Sequence, residues 1–223
     1  MCNLYRNDPK LDDWVAFFAE YLNLPVILDA GGDTLANRPW AKEVYPKYDG
    51  LFMRPVDAKA PEAGLEPAVG RWGVVPFFHK GTAKAWKFPT NNCRSEEMAA
   101  KASFRDAVKS KRCIIPVSSF CEHTGPKGKM TRHTIRAAGG KPLFLAGLWA
   151  SHSWEGEQTD SYTMVMMEAQ QGDDMRRFHN RQPIVLDRDS ARTWLNLGAP
   201  FAPILKAGPP GTLAFDPPDP VPA

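Results

Sequence analysis

Between residues 113 and 186 the chain passes through five short apolar runs, at 113–117, 133–136, 143–149, 162–167 and 183–186. Each has the length and β-branched or aromatic content of a strand, and turn chemistry separates them, with 125–130 (GPKGKM) the clearest turn. Strands that outnumber the helices and do not alternate with them predict one α+β domain. Its core is expected to be a mostly antiparallel, curved or barrel-like sheet flanked by a few helices.

Three helices are expected around this region. Leu11, Trp14, Val15, Phe18, Tyr21 and Leu22 recur at helical spacing, and Pro25 lies beyond them. Residues 95–112 offer a capping Ser, acids in a first turn and Lys/Arg at the end, the charge order that a helix dipole favours. Asp189 or Ser190 can cap a third helix through Leu195, stopped near Gly198. Residues 71–78 read as a strand, and 25–70 as loops with one or two short strands. Eight of the 21 prolines fall between 200 and 222. The domain is therefore placed at 1–199 and a Pro-rich tail at 200–223, extended or partly disordered, in which 212–215 can add an edge strand.

A chain of 223 residues with 43% hydrophobic and 24% charged side chains has the composition of a soluble globular protein with a substantial core. No apolar run approaches the ~18 residues of a membrane span. A basic segment followed by an apolar leader is also missing, so a cytoplasmic location is expected. Cys2, Cys93, Cys113 and Cys121 form no C-x-x-C pair. Reduced thiols are expected, with no metal, cofactor or disulfide framework.

The net charge of +3 is too small to announce nucleic-acid binding, but its distribution says more. Residues 71–94 carry Arg71, Lys80, Lys84, Lys87 and Arg94 without one acid, interleaved with Trp72, Phe77, Phe78, Trp86 and Phe88. Bases stack on rings while cations follow phosphates, so the stretch suits a single-stranded nucleic acid. Core aromatics on a strand with a solvated lysine face would have the same composition.

Candidate chemistry lies in four places. Cys2 follows the initiator Met1, whose removal the small second side chain permits. It would then present an α-amine of pKa near 7.7–8.0 beside a thiol near 8.5, two nucleophiles usable together at cellular pH. Asn91, Asn92 and Arg94 precede the expected 95–112 helix, where an anion can sit. Glu122 and His123 stand where an apolar run ends at Phe120, and a half-buried carboxyl there can shuttle protons. His179 and Arg181 precede a strand starting at Pro183, and an imidazole donates protons near neutral pH.

Taken in order, a Cys at position 2, R-W-G-x-x-P from Arg71, N-x-R-x-E from Asn92, R-C-x-x-P from Arg112 with F-x-E at Glu122, and H-x-R-x-P from His179 form one set. The set spans residues 2–186 and resembles the SRAP family, the SOS-response-associated peptidases of abasic-site processing. The resemblance implies a monomer that binds single-stranded DNA bearing an abasic site and becomes covalently attached through Cys2 as a thiazolidine. It implies that Asn92 orients the sugar or the cysteine, that Glu122 assists ring opening and proton transfer, and that His179 acts as general acid. Arg94 and Arg181 would hold phosphates together with basic residues of the 71–94 stretch, among them Arg71, Lys84 and Lys87. Trp72 would stack on a base or pack the core. Self-cleavage of Met1 belongs to the same picture, although an aminopeptidase suffices.

The chain departs from the family pattern at Asn3 and Leu4, where Gly and Arg are usual, which leaves Arg6 as the substitute cation. Cys93 replaces an Ala and is expected close to Cys2, with sensitivity to oxidation. Two rival readings remain. One is an amidotransferase with an N-terminal cysteine nucleophile, whose glutamine-gripping elements are not matched here. The other is a non-enzymatic DNA-binding module.

Overall fold

The structure, a computed structural model, describes residues 2–28, 39–126, 129–217 and 219–220. In chain order the first strands are β1 (Leu4–Arg6), β2 (Glu43–Val44), β3 (Asp49–Pro55), β4 (Leu65–Trp72), β5 (Asn92–Arg94), β6 (Arg112–Val117) and β7 (Ser119–Thr124). There follow β8 (Thr131–Ala137), β9 (Leu143–Trp154), β10 (Glu157–Glu168), β11 (Arg181–Pro183), β12 (Leu213–Phe215) and β13 (Asp219–Pro220). The helices are α1 (Leu11–Phe17), which continues as a π-turn through Leu22, α2 (Arg105–Ser110) and α3 (Arg188–Leu195).

A long β9–β10 hairpin is the spine of the fold. Its two-residue turn places Glu155 at φ 49° and Gly156 at φ 83°, the left-handed pair that matches the twist of the flanking strands. From β9 the antiparallel ladder runs through β6 and β3 to β4, and β4 returns to β10 in parallel. Five strands thus close into a mixed barrel. β5 and β11 extend β10 beyond the ring, β5 in parallel and β11 antiparallel. A second, antiparallel sheet has the order β12-β8-β7-β1-β2, with β13 also on β8. Among the described residues, no helix is long and apolar enough to cross a membrane.

Alternation along the barrel strands divides the core in two. Leu51 and Met53, Ile114, Ala146 and Leu148, and Val165 and Met167 face the helices, where they meet Trp14, Phe18, Val108 and Trp194. Phe52, Cys113 and Ile115, Leu145, and Tyr162, Met164 and Met166 face the second sheet, where they meet Tyr5, Val44, Phe120 and Ile135. Both faces of these strands are buried, so they read in sequence as continuous apolar runs.

Where local elements differ from expectation, tertiary contacts override propensity. Only α2 of the expected 95–112 helix forms. Residues 95–104 are a chain of turns, because the Ser95 N–H prolongs the β5–β10 ladder onto the Met166 carbonyl at 2.8 Å while Met98 and Phe104 are drawn into the core. The expected strand at 71–78 begins earlier and stops at Trp72, since Gly73 at φ 132° leaves the extended region. The α3 cap is Asp187, two and three residues ahead of the alternatives read from sequence, and its carboxylate accepts the Ser190 N–H at 2.8 Å. Beyond residue 200, Ile204 packs into the helical core and β12 adds an edge strand to β8.

The hydroxyls of Tyr5 and Tyr162, both fully buried, are hydrogen-bonded to each other across the two sheets. Gly50 of β3 passes directly beneath that pair, and a Cβ there would collide with both hydroxyl oxygens. Gly50→Ala is therefore expected to destabilise the protein by about 1–3 kcal/mol, as overpacking does. A urea-denaturation midpoint unchanged from wild type would show that this contact does not constrain the sheet packing.

Candidate active site

β1 pairs antiparallel with β7 in the register Leu4↔Cys121 and Tyr5↔Phe120, which lays the start of the chain against the end of β7. On β7, Phe120 and Glu122 lie two apart and share a face. Phe120 packs in the core between the sheets, and Glu122 follows it inward to 3% exposure. Burial raises the Glu122 carboxyl to about 7, against the opposing pull of the positive charge at the chain's amino terminus.

Cys2 is fully buried. Its thiol donates to the Leu4 carbonyl at 3.3 Å, and its own carbonyl accepts the Asn92 Nδ2–H at 2.7 Å. Burial pushes the thiol well above its ordinary range, and the Glu122 charge pushes it further. The beginning of the chain, β5 and β7 therefore converge at one point. The neighbouring amide of Asn91 reaches Asn3 Oδ1 at 3.3 Å.

His179 lies half-buried in the connection from β10 to β11. Its Nδ1 accepts the Arg181 backbone N–H at 2.8 Å, so the neutral ring carries its proton on Nε2. Burial first, then the amino-terminal charge, lower its pKa and keep it neutral near pH 7. That same charge acts on Glu122, His123 and His179, which places all three around the start of the chain.

A groove of about 880 Å³ opens beside this point. Asn3, Leu4 and Asn91 line it on the side of Cys2, and Tyr45, Lys47, Lys87, Phe88, His123 and Arg132 line it further out. No carboxylate is among the described lining residues. Phe77, Phe78 and Phe88 are 66%, 41% and 65% exposed and join through Trp86 in an aromatic strip, with ring centroids 4.8–6.3 Å apart.

Of the expected phosphate-holding side chains, Lys87 faces the groove, while Lys84 is exposed on the turn Ala83–Ala85 outside it. Arg71 lines the groove but is buried, with Nη1 on the Gly73 carbonyl at 2.7 Å and Nη2 on the Trp86 carbonyl at 3.2 Å. Trp72 is fully buried, its indole N–H on the Asn91 carbonyl at 2.8 Å and its ring edge-on to Tyr5. Arg94 is exposed and paired with Glu97 at 3.0 Å, and Arg181 binds Glu96 at 2.5 Å. Arg6, the substitute cation, is tied to Asp8 at 3.0 Å. Cys93 is not a neighbour of Cys2: strand alternation turns Asn92 toward Cys2 and Cys93 into the helical core.

The family profile described as SOS response associated peptidase (SRAP) matches residues 24–206. The chain belongs to the SRAP family. Within that family it is 33% identical over 129 residues to the abasic site processing protein YoqW of Bacillus subtilis, covering 56% of this chain and 55% of that one. It is 31% identical over 166 residues to the abasic site processing protein HMCES of Xenopus tropicalis, covering 64% of this chain and 48% of the other. The chain thus spans about half the length of these relatives. Among solved structures, a Bordetella bronchiseptica protein superposes with a TM-score of 0.75 at 28% identity, over 100% of both chains. A Bacteroides thetaiotaomicron protein, 17% identical, shares the fold with a TM-score of 0.76 over 96% of this chain and 90% of its own.

Sequence reasoning missed Tyr45, Lys47 and Arg132 of this SRAP groove. Arg132 faces His123 only through the β7–β8 register, which short-range pattern does not reveal. Lys47 had one local signal, the Y-P-K-Y turn, in which it adopts φ 76°.

A carboxyl whose folded pKa exceeds its unfolded value binds more protons in the native state, so stability falls as pH rises from about 4.5 through 7. Glu122→Gln abolishes that titration. The variant is expected to gain up to about 3 kcal/mol relative to wild type between pH 4.5 and pH 8. Urea unfolding across that range checks it, and a difference that is constant with pH would refute the raised value.

Proposed function

We propose that this chain captures abasic sites in single-stranded DNA by covalent attachment through Cys2, once Met1 has been removed. The observation that carries the reading is the convergence of Cys2, the Asn92 amide, the buried Glu122 carboxyl and the His179 imidazole beside a cationic groove without acids. Its setting is the cytoplasm, on chromosomal DNA. YoqW and HMCES are named abasic site processing proteins, which supports the substrate class.

The chemistry follows from the groups present. Hydrolysis of the Met1–Cys2 peptide, by an aminopeptidase or by the site itself, frees the α-amine and removes a residue bonded to the buried cysteine. The amine lone pair attacks C1′ of the ring-opened sugar, and the two N–H protons pass in turn to the aldehyde oxygen, which leaves as water. The thiol sulfur adds to the resulting imine carbon while its proton passes to nitrogen. Aldehyde plus aminothiol become a thiazolidine and one water.

Glu122, titrating near neutral pH, accepts the proton of the ammonium or the thiol and returns it to oxygen. His179, neutral with its proton on Nε2, hydrogen-bonds the departing hydroxyl, while the protons that make it water come from the amine through Glu122. Asn92 orients Cys2 through its carbonyl, and its Oδ1, buried without a hydrogen-bond partner among the described residues, accepts from a sugar hydroxyl. Lys47, Lys87 and Arg132 follow the phosphates, and Phe88, Phe77 and Phe78 stack flanking bases.

Incubation with an oligonucleotide carrying one abasic site should give a species stable on a denaturing gel. Its intact mass should equal the Met1-free protein plus DNA less one water. Cys2→Ala and the Met1-retaining chain should give none. Glu122→Ala and His179→Ala should slow its formation by about 10²-fold or more with lesion-free binding retained. Adduct formation by Cys2→Ala would sink the proposal, and ammonia release from glutamine would favour the amidotransferase reading instead.

Binding to a lesion-free single strand should weaken by about 1–3 kcal/mol in Phe88→Ala. In Lys87→Ala the slope of log affinity against log salt should fall by about one. Unchanged titrations in both variants would move the strand path elsewhere.

A further inference from the structure

The SRAP profile ends at residue 206, but the chain returns to the site after it. β12 lies along β8 in the register Leu213↔Ala137 to Phe215↔Ile135. Its partner from the side is the turn that carries His179. The Asp174 carboxylate accepts the Gly211 N–H at 2.9 and 3.1 Å and the Leu213 N–H at 2.9 Å. Phe178, the residue before His179, packs between Phe215 at 4.7 Å and His133 of β8 at 4.6 Å. The Arg177 guanidinium covers Phe178 at 4.7 Å and Phe215 at 4.1 Å.

Residues 173–179 have no ladder of their own. The N–H groups of Phe178 and His179 both turn back to the Met175 carbonyl, at 2.9 and 3.0 Å. On one side Asp173 ties the turn to the Gln170 N–H at 2.7 Å and to the Gln182 side chain at 2.6 Å. On the other side it contacts residues 211–215 and β8, and Met175 is buried in the core between the sheets. A one-turn segment that must hold an imidazole to within a fraction of an ångström needs both anchors.

We propose that the C-terminal strand is a positioning element for His179, in which Asp174 and Phe215 are positioning residues that fix the 173–179 turn beside the start of the chain. The inference rests on the reading of His179 as the hydrogen-bond donor to the leaving oxygen in abasic-site capture. Neither residue meets the substrate.

The test uses the full chain with Asp174→Ala, Phe215→Ala and the conservative Asp174→Asn, which keeps an acceptor oxygen for the two N–H groups. Single-turnover adduct formation should fall ten- to a hundredfold in the two alanine variants, on the order expected for a displaced catalytic group. Affinity for a lesion-free strand should stay within about twofold. The limb of the pH–rate profile that His179→Ala removes should be lost as well, and adding Asp174→Ala to His179→Ala should cost nothing more. Asp174→Asn should recover most of the rate.

Wild-type rates in Asp174→Ala, or an equal slowing when His179 is already absent, overturn the inference. Asp174→Ala and Asp174→Asn carry the test if Phe215→Ala does not fold. A wild-type protein that forms no adduct overturns the proposed function instead. In that case the imidazole resonances of His179 decide the inference alone: they should move in Asp174→Ala, and unmoved signals refute it.

Discussion

Everything at the site depends on the pairing of β1 with its two neighbours. A chain terminus ordinarily frays. Here Leu4–Arg6 is an interior strand, antiparallel to β7 on one side and to β2 on the other. Tyr5 anchors it to the barrel through the Tyr162 hydroxyl and the edge of Trp72. Asn7, fully buried, locks the exit: its amide donates to the Pro116 carbonyl at 3.1 Å and its oxygen accepts the Trp14 indole N–H at 2.6 Å. Cys2 is two residues upstream of this clamp, so its reach is limited to the space shared by Asn92 and Glu122. Under the proposed function, restricting Cys2 in this way lowers the entropic barrier to its reaction.

The same burial that holds the terminus sets its electrostatics. A carboxyl, a thiol and two phenols share one core, and low polarity penalises the charged form of each. The outcome differs by group. Both tyrosines remain neutral hydrogen-bonding partners, and the thiol is kept protonated. Glu122 alone is brought to about 7, where it exchanges protons at cellular pH, because the amino-terminal charge offsets part of its burial. A buried carboxyl held there weakens the fold above neutrality, which is the sort of local cost that functional sites carry.

The architecture was legible in sequence where a barrel strand is apolar on both faces. The strands at 113–117 and 143–149 appear as β6 and within β9 for that reason. β3 and β4, which carry Asp49, Arg54, Glu66 and Arg71, lie largely in the 25–70 stretch read as loops with one or two short strands. The failure at 95–112 has a clear cause. SEEMAAKASF has helical propensity, but Glu96 and Glu97 are bound by Arg181, Arg94 and Lys101, and the backbone at Ser95 belongs to a sheet. Only Arg181 of these partners is distant in sequence; the sheet bond at Ser95 and the burial of Met98 and Phe104 in the core outweigh the few tenths of a kcal/mol per residue that propensity supplies. At the site, Asn92 and Cys93 show the same limit: their adjacency suggested a shared neighbourhood, and the pleat sends them to opposite faces. Arg132 and Tyr45 enter the groove through strand register and turn geometry, which no local pattern encodes.

If the groove takes a nucleic acid as proposed, Arg71 serves it without touching phosphate. Its guanidinium is buried and committed to the carbonyls of Gly73 and Trp86, at the two ends of the loop from 73 to 86. The Trp86 indole in turn donates to Thr90 Oγ1 at 3.1 Å, Thr90 donates to the Val74 carbonyl at 2.7 Å, and His152 Nε2 donates to the Gly81 carbonyl at 2.8 Å. Burying an arginine without a carboxylate is costly unless its N–H groups are satisfied, and these carbonyls do so. What the arrangement secures is the shape of a loop that would otherwise be loose, which carries Phe77 and Phe78 and leads directly into Lys87 and Phe88. A flexible aromatic strip would lose on binding the entropy that a preorganised one has already given up in folding. The cationic motif that in sequence suggests direct contact with a ligand therefore sits one step back, holding the surface proposed to make the contact.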